Sequence, residues 1–431
     1  MKHFLIILLS IVIFSSLSFG GTTMETFILP NGIKVIFKQT KSVEILSLKF
    51  HSPISVLQED ISRSGETALL YAVMSKSTNK RNSETLATDI ENLGASISSD
   101  LEYDFSGWTL NCMSSYFDKS CEILADIILN PAFDKKEIEK ERQLMIQSIK
   151  ARKDSIKSVA NDRFISDFYD KSHPYSKIKS GNEETLKILT QQDLKDIYNK
   201  IYSTKGIVIT VVGNIKKSVL KETLNKYFGQ MSFTLENKKN NLKNNPLRIK
   251  EDVVVKSKFN QAFIIYAYDC PDVSSKDFTT LKLINVVLGG RMTGRLFIEL
   301  REKLGLAYEV NCDYPTRIDS SYFKVYIGLD KKNIDITKKG IEKIMSDLCT
   351  TKINDKELLD TKNFIKGIYL LAHQSVERQA YYLAVREMVG LGYEYDDKYI
   401  EELFKVTSDD IIKVANKYFK HKPYKLILMP N

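Results

Sequence analysis

The 431-residue sequence predicts an α+β fold of two similar α/β domains, each a sheet with helices packed on one face, joined by a linker. Three observations predict it. First, three segments echo one another in the same order in both halves. Glu91-Asn92-Leu93-Gly94-Ala95 recurs as Glu302-Lys303-Leu304-Gly305-Leu306, in each case a helix end, a glycine suited to the left-handed position, and then a β-like run. Asp134-Lys135-Lys136-Glu137-Ile138 recurs as Asn354-Asp355-Lys356-Glu357-Leu358, each opening a long helical pattern. Leu189-Thr190-Gln191-Gln192-Asp193-Leu194 recurs as Val406-Thr407-Ser408-Asp409-Asp410-Ile411, a Thr N-cap with an acid three residues on. Second, residues 234–247 are rich in Asn and Lys and poor in apolar side chains, so they cannot bury enough surface to order themselves and read as a linker. Third, strands and helices do not alternate strictly as βαβ, which disfavours a doubly wound parallel sheet.

Taken in order, strands are expected at Ile33 to Lys38, Glu44 to His51, Ser96 to Ser99, Trp108 to Met113 and Ile207 to Val212. Helices centre on 65–77, 83–93, 117–129, 135–151, 156–169 and 190–201. The second half repeats the scheme, with strands near Val253 to Lys256, Gln261 to Ala267, Ala307 to Tyr314, Tyr322 to Leu329 and Tyr424 to Met429. The domains are therefore 25–233 and 248–431. A hydrophobic share of 43% supplies apolar surface for two sizeable cores.

The first 20 residues carry a basic Lys2, an apolar run from Phe4 to Phe14, and small residues Ser18 and Gly20 before a cut after Gly20. They read as a cleavable export signal, which puts the chain in the periplasm or outside the cell, with an uncleaved N-terminal anchor as the competing reading. The run is too short to span a bilayer comfortably, and no later segment of the mature chain is apolar enough to do so. Five scattered cysteines without CxxC pairs read as buried free thiols rather than a disulfide framework. The net charge of +9 is spread among acids, so it acts as a solubility term, and no nucleic-acid partner is expected.

Two segments bear on chemistry. "SGETALLYAVMSKST", Ser64 to Thr78, reads as a helix; a catalytic zinc site on a helix needs ligands at i and i+4 with a base between, because those positions share one face. Here that face is Ala68, Tyr71 and Ala72, and none of them can hold zinc. Ordinary core packing by Ala68, Leu69, Leu70 and Ala72 is the expectation. The other segment, "LGGRMTGRLFIELREKLGLAY" (Leu288 to Tyr308), has glycines that form neither GxGxxG nor a Walker loop, so phosphate cradling is excluded. A lone Arg near a helix end ordinarily serves the helix dipole, and a lone Tyr in a β-run ordinarily packs. His173-Pro174 reads as a turn.

On these residues the chain resembles the pitrilysin-like (M16) zinc metallopeptidases, in particular the two-subunit bacterial type related to mitochondrial processing peptidase. The likeness rests further on Leu29-Pro30-Asn31-Gly32, "NPAFDKKEIEKER" (Asn130 to Arg142), His173-Pro174-Tyr175 and Val211-Val212-Gly213-Asn214. The resemblance implies an inverted His-x-x-Glu-His motif at positions 68, 71 and 72, with a distal Glu at Ser148, or at Gln147 after a slip of one residue. All are missing here. The carboxylates of Glu137, Glu139 or Glu141 would not replace the imidazoles, so no zinc is expected in this chain and no cofactor of its own.

The resemblance further implies a division of labour. This chain looks like the subunit without zinc, inactive alone, whose Arg301 and Tyr308 reach into a chamber shared with a zinc-bearing homologous partner. Their expected role is to stabilise the charge that develops on a scissile carbonyl of an unfolded peptide. The peptide would add a strand to a sheet edge of the partner. Motion about the linker is expected to open the chamber. Two alternatives stand beside this reading: a catalytically inert structural or peptide-binding member of the fold, and a self-sufficient peptidase with a rearranged metal site. A homodimer is also compatible with the sequence.

Overall fold

The computed structural model describes residues 24–237 and 252–431; the expected signal and most of the expected linker lie outside the described residues. In the first half the chain runs through β1 (Met24–Ile28), β2 (Lys34–Gln39), β3 (Ile45–Ser52), α1 (Glu66–Met74), α2 (Ser83–Asn92), β4 (Ser96–Leu101) and β5 (Ser106–Met113). It continues through α3 (Phe117–Leu129), α4 (Lys135–Arg152), α5 (Ile156–Phe168), α6 (Glu183–Ile188), α7 (Gln191–Ser203), β6 (Val208–Gly213) and α8 (Lys217–Phe228). The second half follows with β7 (Asp252–Ser257), β8 (Ala262–Cys270), α9 (Phe278–Leu288), a π-helix at Phe297–Lys303, β9 (Ala307–Asp313) and β10 (Ser321–Leu329). Its remainder is α10 (Ile334–Thr350), α11 (Asp355–Ala372), α12 (Val376–Met388), α13 (Tyr395–Lys405), α14 (Ser408–Phe419) and β11 (Tyr424–Pro430).

The two sheets have the orders β1-β2-β6-β3-β5-β4 and β7-β11-β8-β10-β9. Leaving out β1, they are the same sheet twice. In each, one parallel pair (β2 with β6, β7 with β11) stands beside antiparallel ones. The sequence echoes fall at equivalent places. Thr190 and Thr407 cap α7 and α14 with the same backbone angles, φ −101° and −102°, and each hydroxyl accepts the N–H of the acid three residues on. Asp134 and Asn354 cap α4 and α11 in the same way. Gly94 and Gly305 both take positive φ, 56° and 60°. β1, an edge strand too short to show an alternating pattern, is the strand that the sequence does not reveal.

Each sheet buries one face under helices of its own half. In the first, Leu46, Leu48 and Phe50 of β3 meet Leu69 and Leu70 of α1 and Leu124 of α3. In the second, Ile264 and Tyr266 of β8 meet Leu281 and Ile284 of α9 and Ile341 of α10. The opposite faces are covered by exchange. α5, a helix of the first half, lays Ala160, Phe164 and Phe168 against Phe263, Ile265, Tyr322 and Tyr424 of the second sheet. Its counterpart α12 returns the arrangement, with Val376, Ala380 and Leu383 packed on Val212 of β6 and the helix lying across β3. Ala160 and Ala380 sit at the same position of the two helices, both fully buried, where a small side chain lets helix and sheet approach. The expected opening about the linker conflicts with this packing. Parting the halves would expose these side chains, at about 1.5–3 kcal/mol for each large apolar one.

Candidate functional site

The carboxylate of Glu59 accepts the backbone N–H groups of Gly65 and Thr67 at 3.0 and 2.9 Å, which fixes the start of α1. Gly65 has φ 94°, and a Cβ there would meet Gly181 Cα at 2.8 Å, so the helix start is pressed on the turn at 180–181. From this anchor the helix presents one face to its sheet and another to the cleft between the halves. Leu69 and Leu70 enter the core as expected, but Ala68 and Ala72 are only half-buried, which corrects the core role assigned to them. Ala68 lines a cavity of about 420 Å³ between the halves, together with Arg152, Asp162, Lys179, Arg317 and Lys324. Tyr71 takes the core place instead. Its ring packs 5.2 Å from that of Trp108, and its hydroxyl donates to Ser106 Oγ at 2.9 Å.

The donor set does not fit a catalytic zinc. Burial pushes the Tyr71 phenol up to about 12, so it stays neutral and cannot serve as a base near pH 7. Ser148 and Gln147 lie exposed on α4. The nearby carboxylates are engaged elsewhere: Glu141 lies 3.5 Å from Lys76, Glu139 accepts from Arg142 and Gln143, and Glu137 lies 3.8 Å from Lys140. His51 is paired with Asp100 at 3.0 Å, His173 accepts Tyr175 N–H at the turn expected for it, and His373 is paired with Asp396 at 2.7 Å. Among the described residues, no three His, Cys, Asp or Glu side chains are grouped as a metal site.

Arg301 and Tyr308 are brought together. Arg301 lies in the last turn of the π-helix, and its Nη1 donates to the carbonyl oxygen of Tyr308 at 3.1 Å, while its guanidinium lies 5.0 Å from the Phe297 ring centre. Tyr308 is 60% exposed on β9, the outer strand of its sheet, beside an irregularity where β9 and β10 shift register. The turn joining the two residues is one residue wider than its counterpart. Ala95 N–H bonds Ile90 C=O after α2, whereas Leu306 N–H reaches back to Leu300 C=O after the π-helix. Such single π turns recur at functional sites. The glycine-rich stretch before it is closely packed: a Cβ on Gly289 would meet Cys312 N at 2.7 Å, and one on Gly294 would meet Leu288 O at 2.8 Å. Arg295 is tied to Glu357 by two bonds of 2.8 and 2.9 Å, and Met292 is exposed.

Sequence reasoning passed over Arg317. This loop residue of the second half is buried between the halves, its guanidinium 4.0 Å from the Tyr103 ring and 4.5 Å from that of Tyr175. No periodicity marks a buried cation in a loop, and only the density of tyrosines around it in space reveals the position. All five cysteines are buried free thiols, as expected.

Comparison with known proteins bears on the family and the fold. The family profile described as insulinase (peptidase family M16) matches residues 56–179, and that described as peptidase M16 inactive domain matches 189–365. An uncharacterised zinc protease of Rickettsia felis is 25% identical over 94% of this chain and 97% of its own length. The mitochondrial-processing peptidase subunit beta of Saccharomyces cerevisiae is 22% identical over 94% of this chain and 90% of its own. Among solved structures, a protease from Helicobacter pylori superposes with a TM-score of 0.86 at 21% identity, covering 95% of this chain and all of that one. A peptidase M16 inactive domain from Pseudomonas fluorescens gives 0.87 at 18% identity, covering 94% and 97%. Two family profiles in succession over one repeated fold leave a single conclusion: this chain is a member of the M16 peptidase family.

Proposed function

We propose that this chain is the non-catalytic subunit of an exported, heterodimeric zinc metallopeptidase that cleaves unfolded peptides. The observation that carries the reading is an asymmetry within one chain. The face of α1 where family members place zinc offers Ala68, a buried neutral Tyr71 and Ala72, whereas Arg301 on the π-helix and Tyr308 on an outer strand stand exposed and joined. The Tyr308 carbonyl holds the guanidinium by one nitrogen and leaves its other donors for a substrate. A guanidinium and a phenol O–H set near a carbonyl that turns anionic stabilise the transition state more than the ground state. Zinc and the water it activates belong, on this reading, to the homologous partner. Because the two halves of this chain are locked by exchanged helices, substrate entry lies between subunits rather than within this one. Among the described residues no helix is long and apolar enough to cross a membrane, and the first 20 residues support export.

The test is reconstitution with a homologous subunit bearing His-x-x-Glu-His. Hydrolysis of an unstructured peptide is expected only on mixing. Arg301→Ala and Tyr308→Phe are each expected to lower kcat/KM by on the order of a hundredfold to a thousandfold, the range for losing one such donor. Silent variants would leave a structural or peptide-binding role, and stoichiometric zinc with hydrolysis by this chain alone would overturn the reading.

A further inference from the structure

A larger cavity, of about 750 Å³, lies between the halves and shares Tyr103, Lys179, Arg317 and Tyr322 with the one beside α1. It is bounded by the β4–β5 turn of the first half and by α9, α11, α12 and residues 313–317 of the second. Its volume is that of a site for a small organic molecule. The wall is apolar and aromatic, with Tyr369, Tyr382 and Tyr399 inside, and Phe364 and Ile368 at the surface of α11, 38% and 51% exposed.

The charges in this wall do not balance. Lys179 is answered by Glu102 at 3.1 Å. Asp313 lies 3.9 Å from Lys324, and Asp104 accepts the Tyr175 hydroxyl. Burial pushes Asp104 up to about 6, which weakens it further as a counter-charge. Lys282 donates to the Tyr314 carbonyl at 2.6 Å and has no carboxylate in hydrogen-bond contact. Arg386 is 8% exposed and makes no ion pair among the described residues; its guanidinium meets only the rings of Tyr395 and Tyr399, at 5.4 and 5.1 Å. Asp396, on the neighbouring helix, gives its Oδ2 to His373, and its Oδ1 is buried without a hydrogen-bond donor. The Nε atoms of both Arg386 and Arg317 are buried without a hydrogen-bond acceptor. A guanidinium held in low dielectric without an anion is costly, and the cost is removed if an anion enters the cavity.

We propose that this cavity binds an apolar molecule ending in a carboxylate, its body between α11 and α12 and its head toward Arg386 and Lys282. A long-chain fatty acid and the C-terminal end of a hydrophobic peptide share that chemistry. The inference does not rest on the division of labour proposed above.

The test is calorimetric titration of the full chain with dodecanoate, dodecanol, a hydrophobic pentapeptide acid and the same peptide as its C-terminal amide. At least one acid is expected to bind at least tenfold more tightly than its uncharged counterpart. Arg386→Gln should erase that preference and Arg386→Lys should retain part of it. Ile368→Glu, at an exposed position that tolerates a polar side chain, should weaken binding of the preferred acid at least tenfold while leaving the melting temperature of the free protein unchanged. Preference for dodecanoate assigns a lipid acid, and preference for the pentapeptide acid assigns a peptide end. The proposal is overturned if neither acid binds, if acid and neutral counterpart bind equally, or if Ile368→Glu leaves affinity untouched.

Discussion

The two halves end equivalent helices at equivalent glycines, Gly94 and Gly305, yet one helix is a regular α2 and the other a π-helix carrying Arg301. The same pairing holds for the exchanged helices. α5 brings large aromatic side chains to the second sheet, while α12 brings Val376, Ala380 and Leu383 to the first. The repeat preserves strand order, caps and turns, which set the scaffold. The departures from it, at one helix end and one helix face, are where the chain has acquired different surfaces.

Five substitutions sharpen or break that comparison. The largest effect is expected for Phe164→Ala, which empties a site packed 4.9 Å from Tyr322 and 5.1 Å from Phe168 and should cost about 3–5 kcal/mol in denaturant unfolding. Leu383→Ala, on the exchanged helix of the other half, should cost less, near the lower end of about 2–5 kcal/mol. Equal costs would mean that the aromatic cluster adds nothing.

Next is the first residue of α1. Glu66 is buried beside Glu59 and Arg63, and burial, with the charge of Glu59, raises its carboxyl from 4.5 to about 7. The folded chain therefore keeps a proton that the unfolded chain has released, so stability is lost as pH rises from about 4.5 to 7. Glu66→Gln should gain about 1–3 kcal/mol at pH 8 and nothing at pH 4, read from melting temperatures. A gain independent of pH would place the benefit elsewhere.

The smallest effect on stability concerns the glycines. A Cβ at Gly94 or Gly305 meets nothing within 4 Å, so either Gly→Ala change should cost only the left-handed strain, about 1–2 kcal/mol. Only Gly305→Ala should also depress the activity of the reconstituted peptidase, because it displaces the turn between Arg301 and Tyr308. If Gly94→Ala depressed it equally, the two turns would not differ in role.

Much of the scaffold was legible because local signals fix it. The run from Ile207 to Val212 is continuously apolar, and structure begins β6 one residue later, at Val208. The Thr caps at 190 and 407 announce α7 and α14 with an acid at the third position. The exchange of α5 and α12 was not legible. An apolar helix face states that it will be buried but not beneath which sheet, and that choice depends on contacts far apart in sequence. That positions 68, 71 and 72 carry Ala, Tyr and Ala rather than metal-ligand side chains could be read directly from the sequence. That Tyr71 rather than Ala68 fills the core could not, since the period alone does not say which way the helix is rolled. The orphaned guanidinium of Arg386 depends on what is missing around it in space, which no one-dimensional pattern records.

The exchanged helices also bear on how the chain is made. α5 is complete by Phe168, but the sheet it must cover does not begin until Asp252, and the last strand of that sheet ends at Pro430. During synthesis its aromatic face therefore waits uncovered until nearly the whole polypeptide has emerged, and neither half expressed separately would hide its apolar surface. A nonsense mutation late in the reading frame would therefore strip the cover from α5 and damage the front of the protein as surely as the back.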